Sequence, residues 1–201
     1  MKKEEQRYIG FRDVVLIVGL TLLIAIIQVA ATMPFSASPF MLAYIAAPVS
    51  MIVSGAIFVL LMNKVPYRGT MVLFVFILIV PMLFMGGGFI LPCIIFLIGG
   101  AIGELVFWKN GTRTPKKLIV AYSVYAVAHG IGTYTPALLT KKAILADLAA
   151  QNVPQELIDA YSKLYTVPVI LGAVIVTLIC AIIGILIGCK IFKKHFARVI
   201  G

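Results

Sequence analysis

Six stretches of the sequence are long and apolar enough to cross a bilayer as helices: Asp13 to Thr32, Phe40 to Met62, Thr70 to Met85, Phe89 to Phe107, Leu118 to Thr140 and Thr166 to Cys189. A hydrocarbon core about 30 Å thick takes roughly 20 helical residues, with a range of about 17–25. The third run is the shortest and carries Pro81. Of 201 residues, 62% are hydrophobic and 12% charged, and mean hydropathy is +1.12. A soluble domain carries roughly 25% charged residues, so these charges cannot coat a water-soluble surface. The expected fold class is an all-α integral membrane protein, a single six-helix transmembrane domain over residues 1–201. The first run is followed by Ala31-Thr32-Met33-Pro34, a poor cleavage site, and reads as a retained helix and not a signal peptide.

Breakers mark the short connections: Pro34 and Pro39, then Pro66, then the triplet Gly86–Gly88, then Gly111 and Pro115. One connection is longer. Lys141 to Tyr165 carries Ile144, Leu145, Leu148 and then Leu157, Ile158, Tyr161, Leu164 at helical spacing. It predicts one or two short amphipathic helices between spans five and six, with Asn152 capping the second and Pro154 in its first turn. The formal net charge of +10 fits topology better than nucleic acid, because 14 of the 17 basic residues fall in the two tails and the second and fourth loops. By the positive-inside rule both termini are cytoplasmic, and Lys141 to Tyr165 is outside. Cys93, Cys180 and Cys189 lie in or beside apolar runs, far apart, and suggest neither zinc nor a disulfide.

Polar groups inside a span are costly and face the bundle interior or a cavity. On the fifth span Tyr122, Tyr125, His129 and Thr133 fall within one arc of roughly 80°, with His129 near mid-membrane. These four residues are the leading substrate-binding candidates; the alternative is an interhelical hydrogen bond that only pins two helices. Gln28 on the first span shares a face with Thr21, Ala25 and Thr32, and its carboxamide can donate and accept at once. Tyr44, and Tyr134 beside Pro136, lie toward the outer half, where tyrosine also serves as an interface anchor. Glu104, facing the basic fourth loop, reads as half of a snorkelling ion pair rather than a proton relay. Small residues four apart (Ala43/Ala47, Gly99/Gly103, Ala126/Gly130, Gly184/Gly188) predict close helix contacts, most of them internal.

Searches for catalytic chemistry find no G-x-S-x-G, H-E-x-x-H or Walker A pattern and no intramembrane carboxylate pair. An enzyme, a metal site and a bound cofactor are not expected; a single histidine does not specify haem. Three classes compete. A substrate-binding transport subunit accounts for the polar stripe, a self-sufficient channel or facilitator would need a continuous polar path, and a membrane scaffold would leave His129 and Gln28 unexplained.

Several stretches together resemble the S components of energy-coupling-factor (ECF) importers, most closely the MptD-like (Trep_Strep) branch. They are Phe11-Arg12-Asp13-Val14, Lys64-Val65-Pro66-Tyr67-Arg68-Gly69, Gly99-Gly100-Ala101-Ile102-Gly103-Glu104, Ala121-Tyr122-Ser123 and the Gly184 to Lys194 tail. The resemblance implies a subunit that captures a vitamin-like or other micronutrient from outside the cell membrane. It also implies partners, a scaffold T component and two cytoplasmic ATPases, and closure of the site by the first and fifth loops. Where family members carry Ala-x-x-x-Ala on the first helix for scaffold docking, this chain has Val18 and Leu22, with Gly19 beside them.

Overall fold

The protein is described by a computed structural model over residues 9–35, 38–83, 90–107 and 113–195. All regular structure among these residues is helical. The helices are α1 (Phe11–Thr32, continued by a 3-10 turn at Met33–Phe35), α2 (Pro39–Lys64), α3 (Thr70–Leu83), α4 (Ile90–Leu105), α5 (Pro115–Leu139), α6 (Lys141–Ala150), α7 (Gln155–Leu164) and α8 (Val167–His195). In lipid a helix satisfies its backbone N–H and C=O groups within one segment, which is why apolar runs of this length adopt it.

Three stretches, Phe11–Phe35, Pro39–Lys64 and Val167–Lys194, are both long and apolar enough to cross a membrane. The other three expected spans each miss one criterion. Among the described residues α3 and α4 are apolar but count 14 and 16 residues, about 21 and 24 Å of helix, whereas the 25-residue α5 is diluted by its polar side chains. Pro81 sits inside the end of α3. The Gly86–Gly88 triplet, Lys2, Lys3, Arg7, Lys109 and Arg198 lie outside the described residues.

Local chemistry sets the helix ends. The Thr114 hydroxyl accepts from the Lys117 N–H at 3.4 Å and Pro115 takes the first position, so α5 begins three residues before the expected Leu118. Pro48 has no N–H to give the Tyr44 carbonyl, and the chain widens there into a π segment at Leu42–Ala46, closed by Ala47 N–H donating to the Leu42 carbonyl. The long connection forms two helices. Asn152 does not cap the second, as its sequence position suggested: its φ of 55° is left-handed and it ends the first. Asn152 N–H donates to the Ala149 carbonyl and Val153 N–H to that of Leu148, both at 3.1 Å, which is the Schellman pattern of a helix C-terminus. Lys141 Nζ then donates to the Ser162 carbonyl at 2.6 Å and ties α6 to α7.

Six helices close into a ring: α1 packs on α2, α2 on α8, α8 on α5, α5 on α4, α4 on α3, and α3 back on α1. The small residues lie in these seams. A Cβ on Gly184 would stand 2.5 Å from the Ile52 carbonyl oxygen, and one on Gly188 2.7 Å from Ala56 Cα. A Cβ on Gly99 would overlap Ala128, and one on Gly130 would reach Val174 at 2.8 Å. Packing at backbone distance is how helices associate where lipid is as apolar as the side chains.

The alternating helix directions gather Arg12, Lys64, Arg68, Arg113, Lys116, Lys117, Lys190, Lys193 and Lys194 at one end of the ring, the basic end. At the opposite end, the hairpin end, sit α6 and α7. Glu104 is near the basic end but does not snorkel. It is 5% exposed, and its Oε2 accepts from Met71 N–H at 2.9 Å, filling one of the orphan donors at the start of α3. The Arg113 guanidinium lies 3.8 Å over the Phe107 ring and donates to the Tyr67 carbonyl at 2.7 Å. Burial lowers the Arg113 pKa, and the Glu104 carboxylate pushes part of the way back. Glu104→Ala is expected to cost about 1.5–3 kcal/mol in thermal unfolding in detergent, the range for a hydrogen bond to a charged group. Glu104→Gln keeps the acceptor and should cost less; equal losses would show that the Met71 bond contributes nothing.

Candidate functional site

The side chains inside the ring are those of the α5 stripe and the groups that face it. Gly132 on one flank of α5 fits against Phe96 of α4, where a Cβ would come to 2.5 Å, and Gly130 on the other flank fits against Val174 of α8. The arc between those flanks holds Tyr122, Tyr125, His129 and Thr133, so all four point into the ring.

Accessibility along this arc is graded. Tyr122 and Tyr125 are fully buried, His129 is half-buried, and Thr133 is exposed. The inner face of α1 repeats the gradient, with Ile17, Thr21 and Ile24 buried and Gln28 and Thr32 partly accessible. Because α5 runs from the basic end and α1 toward the hairpin end, both gradients open the same way. Among the described residues, the side chains inside the ring are thus buried toward the basic end and more accessible toward the hairpin.

Aromatic rings line the buried part. His129 stacks on Phe96 at 5.0 Å between centroids with 16° between planes, and Tyr125 follows at 5.9 Å from His129. Phe74, Phe58 and Tyr122 continue the chain at 5.5, 5.5 and 4.8 Å. Below them Leu61, Met62, Val65, Met71 and Leu118 are buried and fill the ring.

Against this floor stand polar side chains on α1 and α2: Thr21 Oγ1 has no protein partner, and Gln28 and Ser54 each lie beside a tyrosine hydroxyl. The Tyr125 hydroxyl lies within hydrogen-bonding reach of the Gln28 side chain, and Tyr122, beside Ser54, donates to the Met51 carbonyl at 3.4 Å. An unsatisfied buried donor or acceptor costs about 1–3 kcal/mol, which a bound molecule with matching groups recovers. The site so assembled has donors, acceptors and flat aromatic faces. All the described charged side chains lie toward the two ends.

Not every residue singled out in the sequence joins it. Thr133 is on the arc, but its hydroxyl donates to the His129 carbonyl at 2.7 Å. Tyr44 is committed elsewhere: its hydroxyl donates to the Val169 carbonyl at 2.6 Å, and Gly172 leaves room for the ring against α8. Tyr134 packs with Tyr44 and Tyr165 in a small separate cluster around Ala43, Leu164 and Ala173, where α7 meets α2 and α8. Val18, Gly19 and Leu22 are on the outer surface of α1, and nothing lies within 4 Å of a Cβ placed on Gly19. Ser54, Phe58, Phe74 and Phe96 were not indicated by the sequence, since their spans are apolar all round and carry no period.

Among the described residues no three histidines, cysteines or carboxylates are grouped as a metal site would require. No curated protein and no solved structure matches the chain. A family model does match, over residues 11–198, and on that match the chain belongs to the Trep_Strep family of hypothetical bacterial integral membrane proteins.

Proposed function

We propose that the chain is the substrate-binding subunit of an ECF-type importer, a six-span protein of the cell membrane with both termini cytoplasmic. The observation that supports this reading is the graded interior: polar and aromatic at mid-ring, more accessible toward the hairpin end among the described residues, and filled beneath by packed apolar side chains. A channel or facilitator needs a continuous polar path, which that floor interrupts. Capture from one side is what the geometry suits, with the hairpin end outside and the basic end facing the cytoplasm. The ligand class is a small planar molecule, vitamin-like in size, that stacks on His129 and Phe96 and pairs with Gln28, Thr21 and Ser54. Energy for uphill transport comes from outside this subunit, through a scaffold T component and two ATPases, because the sequence has no phosphate-cradling loop. The exposed face of α1 around Gly19, with Val18 and Leu22, is the docking surface for the scaffold.

Reconstitution tests the reading. The small molecule that co-purifies with the chain, identified by mass spectrometry, is expected to bind the isolated protein but not to accumulate in liposomes containing it alone. Concentrative uptake by those liposomes would overturn the proposal. Gly19→Leu should abolish ATP-dependent uptake in the complete assembly and leave binding intact. Orientation is tested separately by single-cysteine labelling in intact cells. A cysteine at Gln151 should react with an impermeant reagent and one at Lys116 should not; the reverse pattern would invert the topology.

A further inference from the structure

A second site lies at the basic end, on the outer surface between α1 and α2. There a groove of about 1010 Å³ is lined by the first turns of α1 and the last turn of α2, with Val15, Leu16, Gly19, Leu20 and Leu60 forming its walls. Its rim is polar: Arg12 and Lys64 with Tyr67 between the helices. Asp13 is also at the rim, but its carboxylate faces the start of α1, accepting from Gly10 N–H at 3.0 Å.

Three features specify the occupant. The wall is apolar and beside it a Cβ on Gly19 would touch nothing within 4 Å, so there is width for a chain of methylenes. Gly19 is seven residues from Arg12, about 10.5 Å along the helix, which matches the upper half of an acyl chain hanging from a headgroup held at Arg12. Phe11 at the mouth is 86% exposed, a placement that water would penalise and the interfacial layer of a bilayer would favour. Two cationic side chains above an apolar slot are complementary to one phosphate ester above one hydrocarbon chain, and basic clusters at a membrane surface attract anionic lipid.

We propose that this groove is a binding site for one anionic phospholipid, its phosphate at Arg12 and Lys64 and an acyl chain along Gly19 and Leu60. The proposal does not rest on the transport reading. It requires only that the protein spans a bilayer, and its test involves neither the substrate nor partner subunits.

The experiment is native mass spectrometry of the full chain released from nanodiscs of phosphatidylcholine and phosphatidylglycerol in equal amounts. The wild type is expected to retain one phosphatidylglycerol in marked preference to phosphatidylcholine. The double variant Arg12→Gln/Lys64→Gln should lose that preference by about tenfold or more. Gly19→Leu, which fills the slot, should also lower retention of phosphatidylglycerol. Lys193→Gln/Lys194→Gln removes the same charge outside the groove and should leave the preference unchanged, and circular dichroism checks that each variant is folded. Equal retention of the two lipids by the wild type would overturn the proposal. So would equal losses from the two double variants, since that would mean a diffuse surface charge. If Gly19→Leu leaves phosphatidylglycerol retention untouched, no acyl chain lies in the slot and the lipid assignment fails.

Discussion

Gly184→Leu is expected to open the seam between α2 and α8 and to prevent the ring from closing. The added Cβ alone would stand 2.5 Å from the Ile52 carbonyl oxygen and 2.8 Å from Ile52 Cα and the Met51 carbonyl oxygen. These are backbone atoms, so no rotamer change relieves the overlap, and α8 must move away from α2 along its length. Gly55 meets Gly184 across the same seam, where its own Cβ would come to 3.1 Å, so both surfaces are at their limit. Overpacking a tight core costs about 1–3 kcal/mol when side chains can adjust, and more when only backbone can yield. The expected readout is loss of a cooperative thermal transition in detergent, together with accessibility of the buried Cys93 to a thiol reagent. Gly19→Leu is the matched control, since the same side chain added on the outer face of α1 should leave the transition in place. Similar unfolding curves for the two variants would refute the close approach.

The second large effect concerns the site. His129→Ala removes both the ring stacked on Phe96 and the polar group half-way up the arc, and it leaves the glycine contacts of α5 with α4 and α8 in place. The isolated protein is expected to bind its co-purified ligand about 5- to 150-fold more weakly, the equivalent of about 1–3 kcal/mol for one lost buried polar contact. Isothermal titration measures it, with thermal unfolding as the check on folding. Tyr44→Phe is the contrasting variant. Its hydroxyl is engaged by the Val169 carbonyl, so its loss should lower stability and leave affinity nearly unchanged. An unaltered affinity in a folded His129→Ala protein would assign His129 to packing.

How far the sequence anticipates these features depends on whether polarity or packing decides them. The α5 stripe was legible because polar residues in an apolar run stand out at helical spacing, and the same contrast brought Gln28 and Thr21 onto one face of α1. The hairpin was legible as two amphipathic segments, although the sequence does not reveal that Asn152 turns left-handed to end the first of them. Packing inside the apolar spans was not legible. Phe74 is buried against Tyr125 and Phe58, whereas Phe76, two residues later on α3, is 49% exposed. Both sit in an unbroken apolar run, and lipid and protein interior favour them equally. Small-residue spacing marked Gly184 and Gly188 as contact points, but not α2 as their partner. The destination of Glu104 was hidden for a related reason: the orphan N–H groups at the start of α3 compete for its carboxylate, and only the fold brings them within reach.

The order of helices around the ring differs from their order along the chain, and this bears on how the protein is made. α2 and α5 meet where Tyr122 packs on Met51 and Phe58, and α8 packs along both of them. During synthesis at about 5–20 residues per second, the first five long helices emerge as an open arc in which Gly55, Ala56 and Gly130 face lipid or a chaperone. Nascent chains stalled before Val167 lack the helix that packs on both α2 and α5, so the ring is incomplete in them. Closure of the ring therefore waits for α8, whose partners on α2 were made many seconds before it.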